Sequence, residues 1–552
     1  VKTVWVADFE TTTKADDCRV WSWGICPVKK DPVRDDVEMG LDITSFMEWI
    51  EDRIDILYFH NLKFDGTFIL YWLLTNGWKW VEDLHPDSFT TLISKDSKFY
   101  SIEIMWHSGE TTVIKDSLKK LPMPVARIAK AFHLPIAKGV IDYDAERPVG
   151  YIPTDEELEY QANDVMIVAA ALWQQLEEGM TSLTVGADSL NEFKRIMGRR
   201  EFDRIFPVID EDTDFNIRKA YRGGWCKPGD RYQREIVGPV KVYDVNSLYP
   251  SVMYDSLMPY GIPVPFDGVP NPPEDFPLWI SSVTVTAKLK PDHLPTIQLK
   301  NHSVFIPTEY LTEIAEPTTI SCTSVDWELW NEQYDIDVYS WDGGYYFAGS
   351  RDFFKSYIDK WMAVKKQAVG GLREIAKLHL NSLYGKFATN PDVTSRKPVL
   401  QDGRVRLEIM NPEYRDPVYT AMGCFITAYA RAVTIRAAQQ NYNIFAYADT
   451  DSLHLVTDKT PDLRIDPVEL GAWKHEYDAD YALFWRPKAY VERRVVENES
   501  VYEVHIAGLP RSVTEDIHFC DMYDGAVFVG KKVPKNVAGG VVLEDVEFCF
   551  RM

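Results

Sequence analysis

The chain has no run approaching eighteen consecutive apolar residues, which excludes a membrane-spanning helix. No secretory-signal pattern stands at its start. No pair among its seven cysteines is spaced Cys-x-x-Cys, which argues against a zinc module and for ordinary thiols in a reducing cytosol. Low-complexity tracts and short-period repeats are missing too. Basic charge is scarce: 60 Lys and Arg against 84 Asp and Glu leave a net charge of −24. Nucleic-acid binders generally show a basic balance, so this weighs against that class. Net charge governs solubility and long-range steering, however, and does not report how one groove is lined. What is plentiful is apolar and aromatic, at 45% and 13% of 552 residues, so the protein is globular. Its length predicts roughly two to four domains.

The acidic surplus includes patterned carboxylates. In Tyr447-Ala448-Asp449-Thr450-Asp451-Ser452 two apolar runs flank a short acidic turn, which reads as a β-hairpin with Asp449 and Asp451 on one side. Like charges that close call for a cation, and a divalent metal is the first expectation. A lone Asp-x-Asp is more simply a solvated tip, so the rest of the chain must decide. Thr3 to Thr13 repeats the pattern, with Asp8 and Glu10 two apart on an apolar strand. Asp65 follows His60, Asn61 and Phe64 at a strand-to-helix junction. Thr154 and Glu157 form a capping box, and Tyr160 and Asp164 then share a helix face.

Singly, these acids are surface charges. In this order they resemble the three motifs of the DEDDy 3′–5′ exonucleases, which have an RNase H-like fold. The resemblance implies that Asp8, Glu10, Asp65 and Asp164 hold two divalent ions and that Tyr160 orients the attacking water. Lys138 matches a charge-stabilising lysine of the protein-primed branch. Thr11, His60, Asn61, Phe64, Ser117 and Leu118 match residues that bind the frayed primer end.

Around 180–225, Gly186 to Leu190 and Tyr221-Arg222-Gly223-Gly224 read as a hinge between domains, with Arg222 offering a phosphate donor. The strand Val240 to Tyr243 runs into Asp244-Val245-Asn246-Ser247-Leu248-Tyr249-Pro250. Phe353 to Val369 is a predicted helix, interrupted at Gly370-Gly371 and resuming from Leu372 to Ala388. In the resumed part, Leu372, Ile375, Ala376, His379 and Leu383 form a core face. Arg373, Lys377, Asn381 and Tyr384 form a second stripe roughly 120° away, a surface suited to triphosphate and base.

The spellings D-x-x-S-L-Y-P, K-x-x-x-N-S-x-Y-G and Y-A-D-T-D-S are similar to motifs A, B and C of family B DNA polymerases. Thr427 to Arg431 and Lys488-Ala489-Tyr490 resemble their T-x-x-A/G-R and K-x-Y primer motifs, contacting primer through Thr427, Arg431, Lys488 and Tyr490. The resemblance covers essentially the whole chain and is closest to the phi29-like, protein-primed phage polymerases. It implies an α/β and α+β multidomain fold: an RNase H-like exonuclease domain over 1–185, then a palm, fingers and thumb right hand over 186–552. The expected palm is 186–296 and 418–506, the fingers 352–387 and the thumb 507–552. Insertions at 297–351 and 388–417 would contact a terminal protein and close a tunnel around DNA.

By the same resemblance, Asp244, the Val245 backbone and Asp451 bind two Mg²⁺ ions, with Mn²⁺ a plausible substitute and Asp449 an auxiliary acid. Lys365 and Lys377 neutralise triphosphate, while Val245, Leu248, Asn381 and Tyr384 line the nucleotide. Tyr249 excludes a 2′-hydroxyl. Expected partners are primer-template DNA, its displaced strand, deoxynucleoside triphosphates and a separate terminal protein. The chain is expected as a monomer or bound to that protein, phage-encoded in a bacterial cytoplasm. Rival readings are a polymerase using nucleic-acid primers only, a nuclease whose C-terminal half merely binds DNA, and an acidic scaffold.

Overall fold

The computed structural model describes residues 3–51, 53–299 and 309–551; part of the expected first insertion, 300–308, lies outside them. The N-terminal unit is built on an eight-stranded sheet. Its central strand Val4–Thr11 pairs antiparallel with Val20–Pro27 and parallel with Ile56–Phe59, which in turn pairs parallel with Thr111–Asp116. One face packs on the helix Leu62–Thr75 through Phe9, Phe46, Phe59, Phe68 and Leu70. The other packs on the helix Asp155–Glu177, whose Val165, Val168, Ala169 and Leu172 are buried as the apolar stripe requires. The predicted capping box is present: Thr154 accepts from the Glu157 amide, and Glu157 from the Thr154 amide.

The first stretch of the expected hinge is instead helical, while Tyr221 to Gly224 lie outside any helix or strand. Gly186 to Leu190 lie inside the helix Val185–Met197, capped by Thr184, and the helices Arg199–Ile205 and Glu211–Arg218 follow. Asp188, with almost no exposed surface, pairs with the buried Lys120 of the N-terminal unit. That pair makes the junction a packed joint.

The C-terminal unit carries a five-stranded sheet ordered Trp473–Ala479, Val240–Val245, Ser452–Val456, Phe445–Asp449, Cys226–Pro228. The helix Thr420–Gln440 is buried behind it. A second sheet of four strands ends in Glu499–Ile506, and a third joins Met258–Phe266, Tyr334–Ser350, Leu278–Leu289 and Glu313–Thr323. A boundary at 296/297 therefore cuts through one sheet, because strands from both sides pair in it.

The predicted long helix beyond Gly370-Gly371 ends at Ser382, and a short turn Tyr384–Phe387 follows. Leu372, expected in the core, is exposed, while Ile375, Ala376, His379 and Leu383 are buried. His379 stacks on Trp361 at 4.0 Å, and burial lowers its pKa to about 4: it is a neutral core residue.

Two hairpins reach back to the N-terminal unit. Val405 of the hairpin Arg396–Gln401/Arg404–Ile409, and Val541 and Val542 of the hairpin Val527–Val537/Gly540–Cys549, enter the core around Leu62–Thr75. Asn536 donates to the Val405 carbonyl at 2.9 Å, joining the hairpins. Gly539 and Gly540 have positive φ, and a Cβ on either would strike the Cys18 carbonyl or the Phe68 ring, so the turn requires glycine.

Candidate active sites

In the N-terminal unit, Asp8 and Glu10 project from the central strand, Asp65 from the first turn of Leu62–Thr75, and Asp164 from the helix crossing the sheet. Burial, then repulsion from Asp164, pushes Asp8 up to about 7. Glu10 and Asp65 are raised well above the carboxylate range, by burial first and by Asp8 second. Asp164 is raised by burial, opposed by Lys138, whose Nζ donates to its Oδ2 at 2.5 Å. The other oxygen, Asp164 Oδ1, is buried without a hydrogen-bond partner among the described residues. Tyr160 hydroxyl lies 2.6 Å from that of Tyr143, with Asp164 and Glu10 near enough to raise its pKa further after burial.

Among the described residues, no three acidic, His or Cys side chains already stand in ligating geometry. Asp164 is turned to Lys138. The donors nevertheless suit a hard divalent cation: four crowded carboxylates, all oxygen, one with an orphaned buried atom.

Next to them, Asp116 does what its place in the sequence did not reveal. It is buried, and its Oδ1 accepts from the backbone amides of Asn61, Leu62 and Leu118, drawing two loops together. Asn61, with φ 75°, is exposed and Phe64 half-buried, lining with Thr11 a cleft of about 690 Å³ beneath the C-terminal hairpin. His60 is fixed from both ring nitrogens, Nε2–H donating to the Met123 carbonyl at 2.9 Å and Nδ1 lying 3.0 Å from the Ser117 hydroxyl. Ser117, expected at DNA, is fully buried and orients His60 instead.

In the C-terminal unit, Asp244 stands next to the end of its strand, opposite Ser452. Burial, then Asp451, raises Asp244 to about 6. Asp449 and Asp451 do not share a face as an extended strand would place them. Thr450 has φ 62°, and Thr450-Asp451 form the tight turn between paired Asp449 and Ser452. Asp451 thus meets Asp244, and Val245 N–H donates to the Asp451 carbonyl at 2.8 Å. Asp451 is raised by surrounding protein and then Asp449, although its surface opens to the cleft. Asp449 turns to Lys488, whose Nζ sits 2.6 Å from Oδ2.

Tyr249 and Tyr384 stack at 3.7 Å and 13°, and Leu248 is buried. Lys365 Nζ donates to Ser247 Oγ at 3.0 Å; burial and then Arg373, Lys377 and Lys474 lower its pKa. Of these cations Lys474 lies across from Asp244 and partly offsets the rise in its pKa. Lys474 had no sequence signal, being isolated on its strand. Asn381 is exposed on the same helix as Lys377.

Three residues expected at DNA are instead internal. Arg222 is buried, donating to the carbonyls of Gln298 and Ser321. Arg431 is buried against Asp326 at 2.6 Å and donates to the carbonyls of Arg222 and Gly223. Thr427 donates within its own helix, to the Gly423 or Cys424 carbonyl. The cause is the same for each: a buried polar group needs partners, and the interior supplies them. Arg222 and Arg431 tie the Tyr221–Gly224 segment to the helix Thr420–Gln440 and to the strand Glu313–Thr323. A Cβ on Gly224 would lie 2.5 Å from Thr450 Oγ1, and Gly223 is exposed. Tyr221 stands close to Tyr384. Tyr490 is buried beside Tyr447 and Lys488.

The family described as DNA polymerase type B, organellar and viral, matches residues 47–154 and 146–469. The chain belongs to that family. The DNA polymerase of Bacillus phage M2 is 42% identical over 99% of both chains. That of Bacillus phage phi29 is 41% identical over 99% of this chain and 98% of its own. The Streptococcus phage Cp-1 enzyme is 32% identical over 99% and 98%. The structure of phi29 DNA polymerase with primer-template DNA and incoming nucleotide superposes with a TM-score of 0.94, at 40% identity and full coverage of both chains. The fold is therefore the multidomain one of phi29 polymerase, and the chain is a DNA polymerase of that type. Among the described residues, no helix is long and apolar enough to cross a membrane.

Proposed function

We propose that this polymerase also edits, trimming 3′ ends at the N-terminal carboxylates and extending them at the C-terminal pair. The carrying observation is that one chain holds two separate clusters of crowded, mutually repelling carboxylates, Asp8/Glu10/Asp65/Asp164 and Asp244/Asp451. Divalent ions, Mg²⁺ by preference, would be held by these residues and the Val245 carbonyl, and would supply activation of the attacking oxygen and neutralisation of the leaving one. Asp451 is the principal ligand and Asp449 an auxiliary acid kept in place by Lys488.

Lys365, Lys377 and Arg373 offset the charge of a bound triphosphate. Tyr384 packs on the nucleotide, and Tyr249 lies where a ribose 2′-hydroxyl would go. Lys488 and Tyr490 hold the primer terminus. In the editing unit Thr11, Asn61, Phe64 and Leu118 receive a frayed single strand, which His60 supports, while Tyr160 orients water and Lys138 offsets charge.

The domain division is 1–185 for editing and 186–552 for synthesis, the hairpin at 396–409 and the C-terminal hairpin closing a tunnel over primer-template. Phi29 polymerase has been solved with primer-template and with single-stranded DNA, and the same two partners are assigned to this chain. Initiation on a separate terminal protein in a bacterial cytoplasm, with strand displacement, completes the reading.

The test supplies Mg²⁺, deoxynucleotides and the terminal protein encoded with this chain. Covalent attachment of a deoxynucleotide to that protein is expected; initiation from nucleic-acid primers alone would refute the priming assignment. Trimming of a labelled single strand is expected with Mg²⁺ alone, and its absence would refute editing.

A further inference from the structure

Behind the synthetic carboxylates, two sheets meet. One carries Asp244, Asp449 and Asp451; the other contains Tyr481–Arg486 and Ala489–Val496, with Lys488 and Tyr490 at and beside the turn that joins them. Their seam is apolar, filled by Val240, Val242, Ala446, Ala482 and Phe484. Yet Glu492, with no exposed surface, sits in this region. Both of its oxygens are used across the seam. Oε1 accepts from His454 Nδ1–H at 2.7 Å, and Oε2 accepts from the Tyr477 hydroxyl at 2.7 Å. His454 lies three residues after Asp451 on the catalytic sheet, and Tyr477 on that sheet's edge strand. The imidazole lies edge-on to Tyr447 and to Tyr490, each at 5.3 Å, and the Tyr447 hydroxyl accepts from Lys488 N–H at 2.9 Å.

A buried carboxylate is a poor way to add stability, since apolar residues of similar volume commonly do as well or better. Apolar contact is non-directional and leaves two sheets free to slide by small amounts. Two short hydrogen bonds from one carboxylate to separate strands of the facing sheet are directional and fix the register.

We propose that Glu492 and His454 are positioning residues of the polymerase reaction. They lock the Lys488–Tyr490 turn against the Asp449–Asp451 turn, so that primer terminus and catalytic carboxylates meet in one geometry. This rests on the reading of Lys488 and Tyr490 as the primer-terminus contacts.

The test compares Glu492→Gln with the double variant His454→Phe/Glu492→Leu made in a Tyr477→Phe background, which removes all three polar partners and leaves none orphaned. Three readouts are taken with the full chain: extension of a labelled primer-template over a range of deoxynucleotide concentrations, trimming of a single strand, and thermal unfolding. The double variant is expected to unfold at the wild-type temperature and trim a single strand at the wild-type rate. Its extension at saturating nucleotide should fall about tenfold or more, as small misplacements of reacting groups do. The nucleotide concentration at which extension balances trimming should rise several-fold. Glu492→Gln, which can still accept from His454 and now donates to Tyr477, should keep most of the rate. Wild-type extension and balance in the double variant would overturn the proposal, as would a parallel fall of all three readouts. Lys488→Ala and Tyr490→Ala are run alongside: full extension in both would overturn the primer-terminus reading itself, and the proposal with it.

Discussion

The crowding of carboxylates around Asp8 has a thermodynamic signature in the metal-free protein. Asp8 ionises near 3.8 when unfolded and is pushed up to about 7 when folded, by burial and by Asp164. Between those values the folded protein keeps a proton that the unfolded chain releases. The associated stability is therefore present below pH 4 and is lost as pH rises towards 7. The full difference is about 4 kcal/mol for Asp8, an upper bound because Glu10 and Asp65 share it. The perturbation is Asp8→Asn, which cannot ionise. With chelator present, thermal unfolding of both proteins is followed at about pH 5 and about pH 8, on either side of the folded value. The variant should gain on the wild type as pH rises, by a few kcal/mol or several degrees at the higher pH. Adding Mg²⁺ at the higher pH should raise the wild type more than the variant, because binding to the folded state alone stabilises it. A difference that does not change with pH, or a wild type that gains on Asp8→Asn, would refute the electrostatic reasoning.

Other expectations follow from single contacts. Arg431→Ala leaves Asp326 charged and buried without its partner, so it should lower stability by about 3–5 kcal/mol in thermal unfolding without DNA; an unchanged unfolding temperature would mean that Arg431 is no interior pin. Gly224→Ala places a methyl group against Thr450, and should slow primer extension about a hundredfold through displacement of the turn while single-strand trimming persists. Lys365→Met removes the cation that donates to Ser247, and should raise the KM for deoxynucleotides about tenfold in steady-state extension.

The parts of the molecule written in short local patterns were readable in advance. The strand carrying Asp8 and Glu10, the capping box at Thr154, the tyrosine and aspartate one helical turn apart, and the turn at Asp449–Ser452 all depend on neighbours within a few residues, and all are found. Resemblance then supplied their grouping into two sites. What escaped was set by partners remote in sequence. Arg222 and Arg431 sit in motif-like spellings that imply contact with DNA, yet their partners, Gln298, Ser321 and Asp326, are brought to them only by folding. Asp116 is an unremarked strand end until three amides converge on it. Leu372 lies on the helix's apolar arc, yet the first turn packs on Phe132, His133 and Gln174 through Gly370 and Gly371, and Leu372 stays exposed. The acidic surplus obscured the nucleotide site, because net charge averages over the surface while Lys365, Arg373, Lys377 and Lys474 gather at one place.

The central claim is that one chain carries two separable carboxylate sites, one adding and one removing nucleotides. The most direct measurement follows a single labelled primer on its template, with Mg²⁺, in the presence and absence of deoxynucleotides. Asp451→Ala should lose extension and still shorten the primer; Asp8→Ala with Glu10→Ala should lose shortening and still extend it. Extension by Asp451→Ala, or shortening that survives loss of Asp8 and Glu10, would contradict the account.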